Sequence, residues 1–148
     1  MTTLLRVSAR PLARIVAAGL LVAVLASCRP MNSSETSLFV HTNELRKQNH
    51  LPAYAQQDAL VDQARSWAAA MAAQAQLSHS DPHTWNVGWT AVAENVGVSG
   101  SIDDIEARLD ASPQHRANML STQYTHMAVG TARGKDGLLY AVQLFWHA

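Results

Sequence analysis

The chain has one cysteine, Cys28, and it stands just beyond a run of twelve small and apolar residues at positions 15–26. Arg6, Arg10 and Arg14 precede that run, and no acidic residue accompanies them. As a helix the run is about 18 Å long, too short for a hydrocarbon core of ~30 Å. A basic stretch, a short apolar stretch and small residues in that order read as a secretory signal, a targeting segment that is not part of the fold. The remainder of the chain contains no second thiol, so no disulfide can staple the exported part. Its stability has to come from a packed core, and a domain of this size buries roughly 65% of its unfolded surface.

The segment "LASC", residues 25–28, resembles the lipobox of bacterial lipoproteins, in which the cysteine sulfur is lipidated and becomes the new N-terminus. The expected organisation is a lipoprotein signal over 1–27, a tether over 28–37 and one folded domain over 38–148. The tether reading rests on "RPMNSSETS", residues 29–37, which is polar and carries proline and serine. Net charge over the whole chain is zero, but beyond residue 27 there are eight basic and eleven acidic side chains. Nothing in that balance points to nucleic acid.

Within the domain the pattern is helix first, strand last. A helix is expected over 38–49 with Leu38, Thr42 and Leu45 on one side, stopped before Pro52. Leu60, Ala64, Trp67, Met71 and Ala75 recur at helical steps and predict a helix over 58–75. Residues 77–90, "LSHSDPHTWNVGWT", show no period and read as a loop. "AENVGV", 93–98, alternates as a strand does. Ser101 caps a helix whose first turn is acidic, and Ser112 with Pro113 starts another. "MAVGTA" and "LLYAVQLFW" flank "RGKDG" and predict an antiparallel hairpin.

No complete catalytic signature is present: no nucleophile elbow, H-E-x-x-H, phosphate loop or paired-cysteine metal knuckle. What remains is scattered, namely His79 in "LSHS", Glu94 in "AENV" and His115 in "SPQHRANML". Singly, each has a bland reading as a solvated or backbone-bonding side chain. His115 falls in the first turn of its helix, where the dipole opposes protonation and favours the neutral imidazole that a ligand or base requires.

Together "NELRKQNHLPAYAQQDALVDQARSWAAAMAAQAQLSHS", "AENVG", "SPQHRANML" and "YAVQLFW" resemble the CAP superfamily (cysteine-rich secretory proteins, antigen five, pathogenesis-related proteins), and its bacterial branch most. The resemblance covers about 38–146. It implies an α+β fold, an α-β-α sandwich with a small antiparallel sheet between helical layers. It further implies a cleft of His79, Glu94 and His115, in which the two histidines hold zinc or another divalent cation. Two neutral imidazoles suit zinc, and Glu94 could orient one of them or a bound water. Asn95, Arg116 and Asn118 are assigned as supporting residues.

The sequence also departs from the family. The second cleft glutamate of larger members aligns near Ser112, with Asp110 the nearest acid. Leu109, Ala93 and Gln114 replace a tryptophan and two glycines of the motifs. His83 is a candidate third ligand, although Asp81-Pro82 disfavours a shared helical face with His79. His41, His50, His126 and His147 are read as surface residues. Trp85 and Trp89 are read as core rather than cleft mouth. The function these readings favour is a binding module held to the membrane through lipid at Cys28, taking a lipid, cell-wall or protein ligand. A metal-dependent hydrolase with Glu94 as base, and a structural envelope protein with a vestigial cleft, are the alternatives.

Overall fold

The structure, a computed structural model, describes residues 29–148. The signal reading and Cys28 lie outside the described residues. Four helices and four strands follow in the order α1 (Ser33–Gln48), β1 (Ala55–Gln56), α2 (Asp58–Gln74), β2 (Ala91–Ser99), α3 (Ile102–Ala111), α4 (Pro113–Leu120), β3 (His126–Arg133) and β4 (Leu139–His147). The sheet order is β1-β3-β4-β2. The expected hairpin is present as the antiparallel β3–β4 pair, and β2 lies antiparallel to β4 over nine residue pairs without a bulge. The sheet is mixed rather than wholly antiparallel, because the two-residue β1 pairs parallel with β3 at Ala55–His126 and Gln56–Met127. A two-residue strand carries no alternation from which it could be recognised.

Helices cover both sheet faces. On one side Leu60, Val61, Ala64, Ala68 and Met71 of α2 pack on Val96, Ala128, Val142 and Leu144. On the other, α1, α3 and α4 bring Leu38, Ile105, Leu109 and Met119 onto Met127, Val129 and Phe145. Alternation along β2 divides its residues accordingly, with Val92, Val96 and Val98 toward α2 and Ala93 toward the second layer. The α2 backbone crosses β3 very closely: a Cβ at Gly130 would lie 2.2 Å from the carbonyl carbon of Ala64 and the nitrogen of Arg65.

The helix expected from Leu38 begins five residues earlier. Asn32 is its N-cap, and its side chain accepts from the Glu35 N–H while the Glu35 carboxylate accepts from the Asn32 N–H. Residues 33–37, expected in the tether, are therefore helical. Even residues 29 and 30 are held: Arg29 donates to Asp62 at 2.9 Å, the Arg29 carbonyl accepts from Gln56, and the Pro30 carbonyl accepts from Arg65. A polar, serine-rich stretch also suits a capped helix start, so the helical residues 33–37 carry no sequence mark that separates them from a tether. Trp85 is buried as expected, but Trp89 is not: it is 38% exposed and stacks on His83 with centroids 5.9 Å apart.

Candidate functional site

The candidate residues converge on β2, one of the two edge strands of the sheet. Glu94 sits on its α2-facing side, as the even-numbered positions do. The loop after α2 folds back over it. His79 Nδ1 lies 2.7 Å from Glu94 Oε1, the Ser80 N–H donates to the same oxygen at 2.8 Å, and the Ser80 hydroxyl donates to Oε2 at 2.6 Å. Trp85, buried in the core, donates its indole N–H to Ser80 Oγ at 3.0 Å and so fixes that hydroxyl. The Glu94 side chain is 6% exposed, whereas His79 is 60% exposed. A carboxylate facing Nδ1 selects the tautomer protonated there and leaves the Nε2 lone pair free.

His115 arrives from the opposite side of the same strand. Ser112 caps α4 with Pro113 in the first turn, and the Ser112 hydroxyl accepts from the His115 N–H at 3.5 Å. Asn95, 1% exposed, donates to the His115 carbonyl at 3.1 Å and to Gln143 Oε1 at 3.0 Å, and accepts from Asn118 at 2.9 Å. Gln143, fully buried on β4, donates onward to Thr42 of α1 at 2.7 Å. Arg46, also buried, donates to the Met119 and Ser121 carbonyls at the end of α4 and stacks on Tyr54. The α4 segment is thus pinned at both ends. Burial lowers the His115 pKa, and the coulombic influence of the His79 ring in its protonated form lowers it further, which favours the neutral imidazole. The loop that carries His79 and the helix that carries His115 thus grip β2 at adjacent residues, Glu94 and Asn95.

Beside β2 lies a groove of about 240 Å³ that His115 lines and that neither His79 nor Glu94 lines. Val96, Gly97 and Val98 form its floor, Leu77 one wall, and Ile105, Arg108, Leu109 and His115 the other. It is smaller than the roughly 300–1,000 Å³ usual for a drug-sized ligand. A wider, shallower depression of about 640 Å³ lies along α1 at Met31, Thr36 and Val40, and none of His79, Glu94 or His115 lines it.

The remaining sequence candidates divide. Asn95 and Asn118 hold the backbone of α4. Arg116 is 39% exposed and lies 3.9 Å from Asp110. Asp110 is engaged with His41, whose Nε2 lies 3.0 Å from Asp110 Oδ2 and whose Nδ1 lies 3.6 Å from Glu106. His41 is accordingly not a free surface residue. Among the described residues no group of three or more His, Cys, Asp or Glu side chains is arranged to hold a metal ion. The donor set therefore suits zinc only in part, as two imidazoles with water completing the shell. Ser80, Gln143 and Arg46 escaped the sequence reading. Only Gln143 carried a signal, a lone amide inside the apolar run "YAVQLFW".

A family model described as "Cysteine-rich secretory protein family" matches residues 40–145. Among solved structures, an outer surface protein from Borrelia burgdorferi superposes with a TM-score of 0.71 at 17% identity, covering 80% of this chain and 95% of that one. An extracellular SCP-domain protein from Bacillus anthracis gives 0.67 at 22% identity, over 81% of this chain and 45% of that one. A cysteine-rich secretory protein from Staphylococcus aureus gives 0.65 at 22% identity, over 81% and 41% respectively. This chain thus spans less than half the length of the last two. At these identities the likeness is one of fold: helices on both sides of a small sheet. No curated protein matches the sequence.

Proposed function

Because this chain belongs to the cysteine-rich secretory protein (CAP) family, we propose that it is an exported binding module, anchored to the membrane through lipid at Cys28, whose working site joins His79, held by Glu94, to the groove that His115 lines. The observation that carries this reading is the contact of His79 with the buried Glu94 beside a groove that His115 lines. Glu94 holds the His79 ring so that Nε2 is free to bind. His115, biased toward the neutral form by burial, offers a second lone pair. A divalent ion held by these two nitrogens would keep water in its other positions and act as a Lewis acid toward a ligand's carbonyl or phosphate oxygen. The exposed apolar side chain of Leu77, beside the buried Ile105 and Leu109, suits a small apolar or cell-envelope ligand.

Catalysis is the weaker reading for a stated reason. A general base needs a lone pair open to the water it activates. Glu94 meets three donors and is nearly excluded from solvent, which suits orienting a histidine better than accepting a proton.

Anchoring at Cys28 has a geometric consequence. Arg29, the next residue, is already bound to Asp62 and Gln56, so the slack between lipid and domain is one residue, about 3.6 Å at most. The β1 side of the sheet would lie against the membrane. β2 stands three strand spacings away, ~14 Å, and its groove would open outward.

Thermal unfolding of a soluble form beginning at Arg29 tests the site. Zinc should raise the melting temperature, and His79→Ala with His115→Ala should abolish the rise. No shift with zinc, copper or magnesium would reject the metal and leave the groove to an organic ligand. Cys28→Ser in the full chain tests the anchor: the protein should leave the membrane fraction, and unchanged partitioning would contradict acylation.

A further inference from the structure

We propose that the free edge of β2 at Val96–Val98 receives an extended polypeptide segment as a fifth strand, with Arg108 binding a carboxylate on that segment. This rests on the groove being the binding site and names the chemistry of its occupant.

β2 has a strand neighbour on one side only. Alternate residues of an antiparallel strand turn their N–H and C=O away from that neighbour, here into the groove. The elements that flank this edge leave its main chain alone. The loop at Ser80 grips β2 through the Glu94 carboxylate, and α4 grips it through the Asn95 amide. Among the described residues no other backbone or side-chain group bonds the main chain of Val96, Gly97 or Val98 outside the β4 ladder.

Exposed edges are ordinarily blunted by a charge, a proline, a bulge or a covering segment. Val-Gly-Val has no charge and no proline, and its register with β4 is unbroken. Instead the edge is walled. Leu77, 44% exposed, stands on one side, with Ile105 and Leu109 on the other. A strand laid in the groove points successive side chains to opposite sides, one set toward Leu77 and the other toward Arg108, Ser112 and His115. Main-chain donors and acceptors on the floor select a polypeptide over a sterol or an acyl chain, which has nothing to exchange with them.

Arg108 gives the segment its charge. It is exposed, lines the groove, and has no carboxylate within 4 Å among the described residues. An acidic side chain or a chain terminus on the incoming strand would supply one.

The probe is an acetylated, amidated octapeptide alternating valine and threonine with one central glutamate, titrated into the soluble form beginning at Arg29. Two controls accompany it: glutamine at the central position, and a peptide N-methylated at alternate amides along both edges. Amide hydrogen exchange of residues 96–98 is followed together with calorimetry. The expected result is saturable binding with slowed exchange confined to groove-facing amides of Val96–Val98. The N-methylated peptide should not bind. Arg108→Ala, a surface change, and the glutamine peptide should each weaken binding about tenfold, the size of one charge-assisted hydrogen bond. Equal binding of the N-methylated peptide, or no protection at 96–98 at millimolar peptide, overturns the inference. Protection that grows with protein concentration alone, with a matching rise in sedimentation mass, also overturns it by making a second copy the occupant. Zinc stabilisation through His79 and His115 without peptide binding would sink strand addition and leave the groove reading standing.

Discussion

Glu94 Oε1 accepts from two neighbours in sequence, His79 at Nδ1 and Ser80 at its backbone nitrogen, so a single buried oxygen fixes both the position of the loop and the rotation of the imidazole. Glu94→Ala should remove both constraints. The ring nitrogen shifts of His79 should move from the Nδ1–H form toward the Nε2–H form that free imidazole prefers. The orphaned Ser80 donors should cost about 1–3 kcal/mol in urea unfolding. An unchanged tautomer would mean that Glu94 does not orient the ring.

Glu35 and Arg65 close the opposite end of the molecule. Glu35 is fully buried, and Arg65 meets it through Nε at 2.8 Å and Nη2 at 2.6 Å. Burial alone would raise the Glu35 pKa, but the Arg65 hydrogen bonds and charge, with the Asn32 and Thr131 N–H groups, bring it below the usual carboxylate value. A depressed carboxylate contributes stability above about pH 4.5 that is lost as pH falls through the folded value. Arg65→Ala should cost up to about 3 kcal/mol, at the low end for a buried pair because Arg65 is itself 31% exposed. It should also flatten the acid limb of the stability profile, measured by urea unfolding between pH 3 and 6.

Gly130 is required by close approach rather than by turn geometry. A methyl group there would meet the α2 backbone at Ala64 and Arg65, neither of which can rotate away. Gly130→Ala should destabilise by about 3 kcal/mol or more. Gly88, where an added Cβ meets nothing within 4 Å, should tolerate alanine within about 0.5 kcal/mol.

Asn95 ties α4 to the sheet through the His115 carbonyl and Gln143. Asn95→Ala leaves the buried Gln143 oxygen and the Asn118 donor without a partner. A loss of about 2 kcal/mol is expected, with the His115 ring resonances broadened by motion of α4. Sharp, unshifted resonances would contradict a positioning role.

The helices and the hairpin were legible because period and caps are local properties. Ser101 caps α3 and Ser112 caps α4 as their spacing predicts, and Leu38, Thr42 and Leu45 are all buried. The start of α1 was not legible, because what makes residues 32–37 helical is partly a distant arginine at position 65. β1 was invisible for want of length. In the site, His79, Glu94 and His115 could be nominated from the family motifs, but not from spacing, since β2 and α4 meet only through the folded sheet. Gln143 looked like a flaw in an apolar strand until its partners on α1 and β2 were in view.

The central claim is that His79 and His115, 36 residues apart, share one site around the edge of β2. It is tested most directly by the NMR titration of His115 in the native protein and in His79→Ala. His115 should titrate below an ordinary histidine in the native protein, held down first by burial and then by the charge on His79. Removing His79 should raise its midpoint toward the ordinary value. An identical midpoint in both proteins would show that the two rings do not sense one another, and the shared site would be wrong.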